Sequence, residues 1–265
     1  VFCNENGYYS VNLSDRYIIA VFLGASQVGI YSAAYQIGSI PYTFSSLINF
    51  IIMVATSKLY DEGKIEEVKK HLSYSLKYFL MLSIPFFFAS LIISDNILTQ
   101  FSTKEIAYEG ELVVPFIALA NLLFGIYNLW RYVLLLTKQT TSLIYIWVIS
   151  APLNILMNIF LIPKFGILGA AVATIFCYLI SMISVGYLAL RTMTFKFDIK
   201  FLLKSIVASI GMSIFLLYSR SYEGFYYTFF SVGFGGLIYI ILLLLQKSFS
   251  HNEIKLIKSL IKKRT

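Results

Sequence analysis

Asp15-Arg16-Tyr-Ile-Ile-Ala-Val-Phe-Leu-Gly-Ala-Ser-Gln-Val-Gly-Ile-Tyr-Ser-Ala-Ala-Tyr-Gln-Ile-Gly38 decides how the rest of the chain reads. An acid and a base stand side by side at the head of an apolar run. A short Gly-Ala-Ser-Gln turn follows, and then a second long helix begins. Ionisable groups inside a membrane helix are costly, and by default they mark a functional path. Whether this helix lies in a membrane is settled by the remainder of the chain.

The 265 residues are 58% hydrophobic and 13% charged, with a mean hydropathy of +0.79. Soluble domains carry about 25% charged residues. The five prolines and 15 glycines are scattered among long apolar runs instead of gathering in linkers. These runs are much longer than the roughly 10-residue alternating strands of a transmembrane barrel. The fold class is therefore an all-α polytopic membrane protein, because a helix satisfies its own backbone in lipid. Cys3 and Cys177 give neither a disulfide framework nor a metal-ligand spacing, and no cofactor is expected.

A spanning helix needs about 20 apolar residues. Eight stretches qualify, near Tyr8–Leu23, Val28–Ala55, Leu72–Ser94, Leu112–Leu136, Leu143–Ile162, Ile167–Leu190, Phe201–Ser219 and Phe225–Leu245. Alternate loops divide the basic residues fifteen to three, and Arg16, Lys77 and Arg131 are left inside spans. Basic loops stay inside, so both ends are expected in the cytoplasm, with 58–70 inside and 95–111 outside. The net charge of +8 is a topology signal and not a nucleic-acid footprint. Residues 250–265 open with a capping-box pattern and read as a basic amphipathic helix for the inner leaflet.

Polar residues within the spans fall on defined faces. The first span groups Tyr8, Asn12, Asp15 and Arg16 in one arc, and Arg16 sits about 10 Å deep at 1.5 Å per residue. An aqueous cavity is its easier home. Two roles are open to Asp15: binding a coupling cation, or neutralising an arginine on another helix. The second span carries a stripe of Ser32, Gln36, Ser39, Thr43 and Ser46, which Pro41 should kink into a hinge or a fixed bend. In the fourth, Asn121, Gly125, Asn128 and Tyr132 share a face with Arg131 beside it. Arg131 has two options, the inner half of a cavity or the lipid headgroups. Lys77 either snorkels or faces substrate. In the fifth, Ser150, Asn154 and Asn158 repeat every four residues and should meet water or another helix. The small residues Gly166, Gly169, Ala170 and Ala173 predict close helix packing, with Gly169 tolerating Ala but not Leu.

Two stretches carry a family resemblance. Asp15–Gly38, with its acidic-Arg pair, Leu-Gly and Val-Gly-Ile-Tyr-Ser-Ala-Ala-Tyr, resembles the seventh and eighth helices of the oligosaccharide flippases in the multidrug/oligosaccharidyl-lipid/polysaccharide exporter superfamily. Pro163–Thr174 resembles the start of their twelfth helix, and the spacing between the two stretches agrees. The resemblance implies a MATE-like C-terminal lobe of six helices over residues 1–190. It adds two further helices over 191–246 and the basic tail over 247–265.

The implied function is translocation of a polyprenyl-diphosphate-linked oligosaccharide across the cytoplasmic membrane by a multi-pass, ion-coupled carrier. Its partners are membrane lipids and an N-terminal lobe of the same protein that is not in this chain. On this reading Arg16, Arg131, Asn12, Gln36, Asn128 and Asn154 are the candidate substrate contacts, and Asp15 carries the coupling ion. A multidrug antiporter of the same superfamily would favour acidic cavity residues, yet arginines outnumber carboxylates inside these spans. A membrane-embedded polysaccharide polymerase or ligase would need a catalytic cluster, and paired intramembrane carboxylates are missing. No enzymatic activity is expected.

Overall fold

A computed structural model describes residues 2–220 and 224–249, with side chains from residue 7 onward. Its ten helices are α1 (Phe2–Leu23), α2 (Ala25–Gly38), α3 (Ile40–Asp61), α4 (Ile65–Phe101), α5 (Lys104–Gly110), α6 (Val113–Leu136), α7 (Thr140–Phe165), α8 (Ile167–Thr192), α9 (Ile199–Ser219) and α10 (Phe225–Leu245). Seven of them are long and apolar enough to cross a membrane. With α2 and α3 taken as one broken rod and α5 set aside, eight rods remain. The rod that fails the apolar test is α1, whose polar arc lowers its hydropathy. The basic tail from residue 250 lies outside the described residues.

Several helix boundaries differ from the sequence reading. The second span is broken between α2 and α3 at Ser39, with Pro41 in the first turn of α3. Proline has no N–H for the carbonyl one turn back and fits best at a helix start, so the kink becomes a break. The charged cytoplasmic link over 57–70 is largely helical, with α3 running to Asp61 and α4 beginning at Ile65. At 37 residues α4 is about 56 Å long. It therefore outreaches a hydrocarbon core of roughly 30 Å, and its charged first turns project beyond the core. Pro85 lies within α4, and Ile93 leaves helical geometry.

The turns cluster at two ends. At one, Gln27 Nε2 donates to Glu109 Oε2 at 2.6 Å and Arg220 Nη2 to Asp95 Oδ2 at 2.7 Å. At the other, Thr192 Oγ1 donates to Gln139 Oε1, and Lys204 Nζ bonds the carbonyls of Gln246 and Lys247 that end α10. The basic loops all fall at this second end.

Lipid gives helices no hydrophobic reason to associate, so packing and hydrogen bonds hold them. α8 packs along α6 and α7, and α1 lies on α7 and α2. α9 and α10 pack on α4 and on each other. Tyr239 Oη ties these three together, through Ser205 Oγ at 2.8 Å and the Met81 carbonyl at 2.9 Å. Gly125 seats the Phe79 ring, where a Cβ would come within 2.0 Å of it. Gly169 corrects an expectation. A Cβ there would lie 2.5 Å from the Leu161 carbonyl oxygen. That neighbour is backbone and cannot rotate away, so even alanine does not fit. Large apolar side chains such as Phe50, Val54, Tyr145 and Phe160 point outward, as expected for a surface bathed in lipid.

Candidate functional site

Asp15 and Arg16 are consecutive on α1 but face different spaces. Asp15 is wholly buried between α1, α2, α7 and α8. Its Oδ1 accepts from Asn158 Nδ2 at 2.6 Å. Its Oδ2 accepts from Thr174 Oγ1 at 2.7 Å and from Tyr31 Oη at 3.0 Å. Asn158 Nδ2 also reaches Asn154 Oδ1 at 3.1 Å, and Ser14 Oγ lies 3.3 Å from the same oxygen. Among the described residues no basic side chain pairs with Asp15. Its donors are all neutral, and two amide atoms in the cluster, Asn158 Oδ1 and Asn154 Nδ2, are buried without a partner.

Arg16 turns the other way, into a cavity of about 410 Å³ lined by Tyr8, Asn12, Arg16, Tyr35, Gln36 and Ser39, with Tyr9 and Leu13 at its edge. Its guanidinium carbon sits 5.7 Å from the centre of the Tyr35 ring, a cation–π distance. No carboxylate pairs with Arg16 among the described residues, and its Nε is buried without a hydrogen bond. Tyr35 Oη donates to Tyr8 Oη at 3.4 Å, and Tyr8 stacks on Tyr42 and Phe124. This aromatic wall separates the cavity from the bundle interior.

The sequence-chosen candidates thus divide. Arg16, Asn12 and Gln36 come together in the cavity. Asn154 does not line it and belongs to the Asp15 cluster, because the α7 stripe packs on α1 and α8. Asn128 is also elsewhere, buried 3.5 Å from Ser45 Oγ at the α3–α6 contact. Its neighbours on that face, Asn121 and Tyr132, bond the Gly38 and Met53 carbonyls. Arg131 stands one turn past Tyr127 on α6, half-buried and outside the cavity lining. Lys77 faces α9, 4.9 Å from the Phe201 ring centre, and not the cavity.

Sequence reasoning passed over Tyr31 and Thr174 as site residues. Each sits in one of the two family-like stretches, and that position was the signal available.

Residues 5–160 match the MatE family. The chain belongs to the MatE family. Among curated relatives, it is 26% identical over 252 residues to the probable low-salt glycan biosynthesis flippase Agl15 of Haloferax volcanii, covering 94% of this chain and 53% of that protein. It is 29% identical over 181 residues to the probable flippase AglR of the same organism, covering 68% of this chain and 37% of that protein. The chain thus spans about half the length of its curated relatives or less. Among solved structures it superposes on the lipid II flippase MurJ in its inward closed conformation with a TM-score of 0.77 at 20% identity, over 91% of this chain and 52% of that one. This MatE chain therefore has the MurJ-type helical fold and is a multi-pass protein of the cell membrane.

Proposed function

We propose that this MatE chain is the C-terminal half of a flippase that carries a polyprenyl-diphosphate-linked oligosaccharide across the cytoplasmic membrane, using a cation held at Asp15. The six-helix lobe is residues 1–190. Residues 191–246 supply two peripheral helices, and a second lobe of the same protein closes the cavity from the other side. Membrane lipids cover the remaining faces. The reading is of transport and not of catalysis.

The observation that carries it is Arg16. A permanent cation is kept deep in a membrane helix, facing the cavity with no carboxylate among the described residues to neutralise it, although Asp15 is its neighbour in sequence. Such a group is poised for an anion brought from outside. A guanidinium is a planar fork that matches phosphate oxygens, and Asn12 and Gln36 add amide groups for the diphosphate or the first sugar.

Asp15 takes the complementary part. A buried carboxylate without a cation is expensive, and here only neutral donors offset the cost. The oxygens at hand are the carboxylate, the amide oxygens of Asn154 and Asn158, and the Thr174 hydroxyl. This is a set suited to a proton or a hard cation such as sodium. The unpartnered Asn158 Oδ1 is where such an ion gains a ligand. Of the two roles open to Asp15, the cation role is favoured, because among the described residues no arginine of another helix pairs with Asp15.

The test is complementation of a glycan-export defect by the full-length protein, with membrane protein levels measured in parallel. Arg16→Ala is expected to abolish export at normal protein levels, and Arg16→Lys to restore it in part. Full export by Arg16→Ala refutes the assignment.

A further inference from the structure

The Asp15 cluster and the Arg16 cavity share a backbone but not a space. Consecutive residues on an α-helix point about 100° apart, so no side chain of α1 bridges them. α2 does. Tyr31 donates to Asp15 Oδ2 at 3.0 Å. One turn later Tyr35 stands under the Arg16 guanidinium and bonds Tyr8 in the cavity wall. The two rings lie 5.8 Å apart at 51°. We propose that α2 is the transmission element of the coupling: Tyr31 senses whether the Asp15 carboxylate is occupied, and Tyr35 passes that state to Arg16. The proposal rests on the cation role of Asp15 argued above, and it makes Tyr31 a positioning residue.

The chemistry of the Tyr31 bond is the reason. A phenol donates its proton toward Oδ2. A cation arriving on that oxygen needs the same lone pairs and repels an O–H dipole whose hydrogen points at it. Thr174 shares Oδ2, but it has an alternative acceptor in place, the Ala170 carbonyl at 3.0 Å, and yields by rotating its hydroxyl. Tyr31 is fully buried, and the other hydroxyl within its reach is that of Thr174, itself engaged on Oδ2. Its ring has to move, or its hydroxyl has to turn its oxygen to the ion. Either way the strap between α2 and α1 is lost or rebuilt when the site fills.

The backbone permits that movement. α2 is a rod of 14 residues with an interruption at each end. Gly24 precedes it at φ +88°, a left-handed conformation that glycine adopts freely, with open space where a Cβ would be. At the other end Ser39 and Pro41 break the helix, while Gly38 abuts Ile117 of α6, where a Cβ would come within 2.7 Å. The rod is thus anchored near Gly38, and near Gly24 it is tied to α5 by the exposed Gln27–Glu109 hydrogen bond, which water can replace during a tilt. A small tilt about the anchored end displaces Tyr31 and Tyr35 together, as expected of a rigid element between two hinge points. Filling Asp15 would then move the aromatic partner of Arg16 and change how the guanidinium is offered to a diphosphate.

The experiment measures linkage in the purified full-length protein. Farnesyl diphosphate serves as the probe of the anion site, and its affinity is taken with sodium chloride, with choline chloride of equal ionic strength, and at acidic and alkaline pH. In the unmodified protein one of these cations is expected to change the affinity by about fivefold or more, the lower range of site-to-site coupling. Tyr31→Phe removes the hydroxyl and keeps the ring. It is expected to retain cation-dependent melting without the probe, to bind the probe, and to lose the linkage. A merely structural role would weaken both ligands and leave the ratio unchanged.

Linkage that survives in Tyr31→Phe overturns the relay and leaves the coupling standing. Absence of linkage in the unmodified protein overturns both. Should Tyr31→Phe fail to fold, the Tyr35 joint decides the same question. Tyr35→Phe, which keeps the ring, is expected to retain linkage and Tyr35→Leu to lose it, and retained linkage in Tyr35→Leu overturns the relay.

Discussion

The closed cluster around Asp15 and the open cavity around Arg16 lie one residue apart and solve opposite problems. Asp15 is surrounded: Asn158, Thr174 and Tyr31 from three other helices aim donors at its two oxygens. Arg16 is left wanting, with an aromatic ring for company and an unsatisfied Nε. On the proposed function, the charge surrounded by the protein's own groups holds a small ion, and the charge left without a counter-ion among the described residues receives a large anionic ligand. An adjacent acid–base pair in a membrane helix need not be an ion pair, because the helix turns the two side chains apart.

The sharpest way to break this contrast is through stability. Asp15→Ala leaves the Tyr31 hydroxyl without its carboxylate acceptor, at about 1–3 kcal/mol for a stranded group, and takes from Asn158 Nδ2 one of its two acceptors. A loss of about 2–4 kcal/mol is expected when melting is followed in the presence of the coupling cation. An unchanged melting point would mean that the cluster is not closed. Gly169→Ala acts on the same cluster from outside. The α7–α8 hairpin presents Asn158 and Thr174, and a methyl group driven at the Leu161 carbonyl should cost about 1–3 kcal/mol. Gly236→Ala, with open space around it, is the control, expected to stay within about 0.5 kcal/mol.

Asp15→Asn should alter the melting point by less than about 1 kcal/mol, since the amide keeps a carbonyl oxygen for the donors. Its melting should no longer respond to sodium or to pH, and a response that persists would remove the ion from Asp15. The smallest thermal effect is expected for Arg16→Ala, within about 0.5 kcal/mol, because Arg16 has no ion pair to lose among the described residues. A large drop in melting temperature there would make Arg16 a structural strut instead of a ligand site.

Much of the architecture was legible beforehand, and particular residues show where legibility stopped. Phe225–Leu245 was delimited from its apolar run alone and forms α10 with those bounds. α4 is longer than its apolar run Leu72–Ser94, because Ile65–Lys70 before it is too charged for lipid yet helical as well. Pro41 announced a distortion, and its place in the first turn of α3 shows that the distortion is a break. Gly169 was marked for close packing, but the nearness of the Leu161 carbonyl, which forbids even a methyl group, was not readable. Asn12, Arg16 and Gln36 line one cavity, whereas Asn128 and Asn154, equally polar in the sequence, pack against other helices.

The sequence by itself determined the class, the helical rods and the end at which the basic loops gather. These depend on how each residue partitions between water, headgroups and hydrocarbon, which is a local property. It also determined that Asp15 and Arg16 point apart, because the helical repeat fixes that angle. Only the tertiary structure decided what each one meets. A periodic stripe gives a direction relative to its own helix axis and says nothing of the neighbour that waits there. That Tyr31, Asn158 and Thr174 converge on one carboxylate, and that no carboxylate among the described residues pairs with the guanidinium beside it, is set by how α1, α2, α7 and α8 pack around one another.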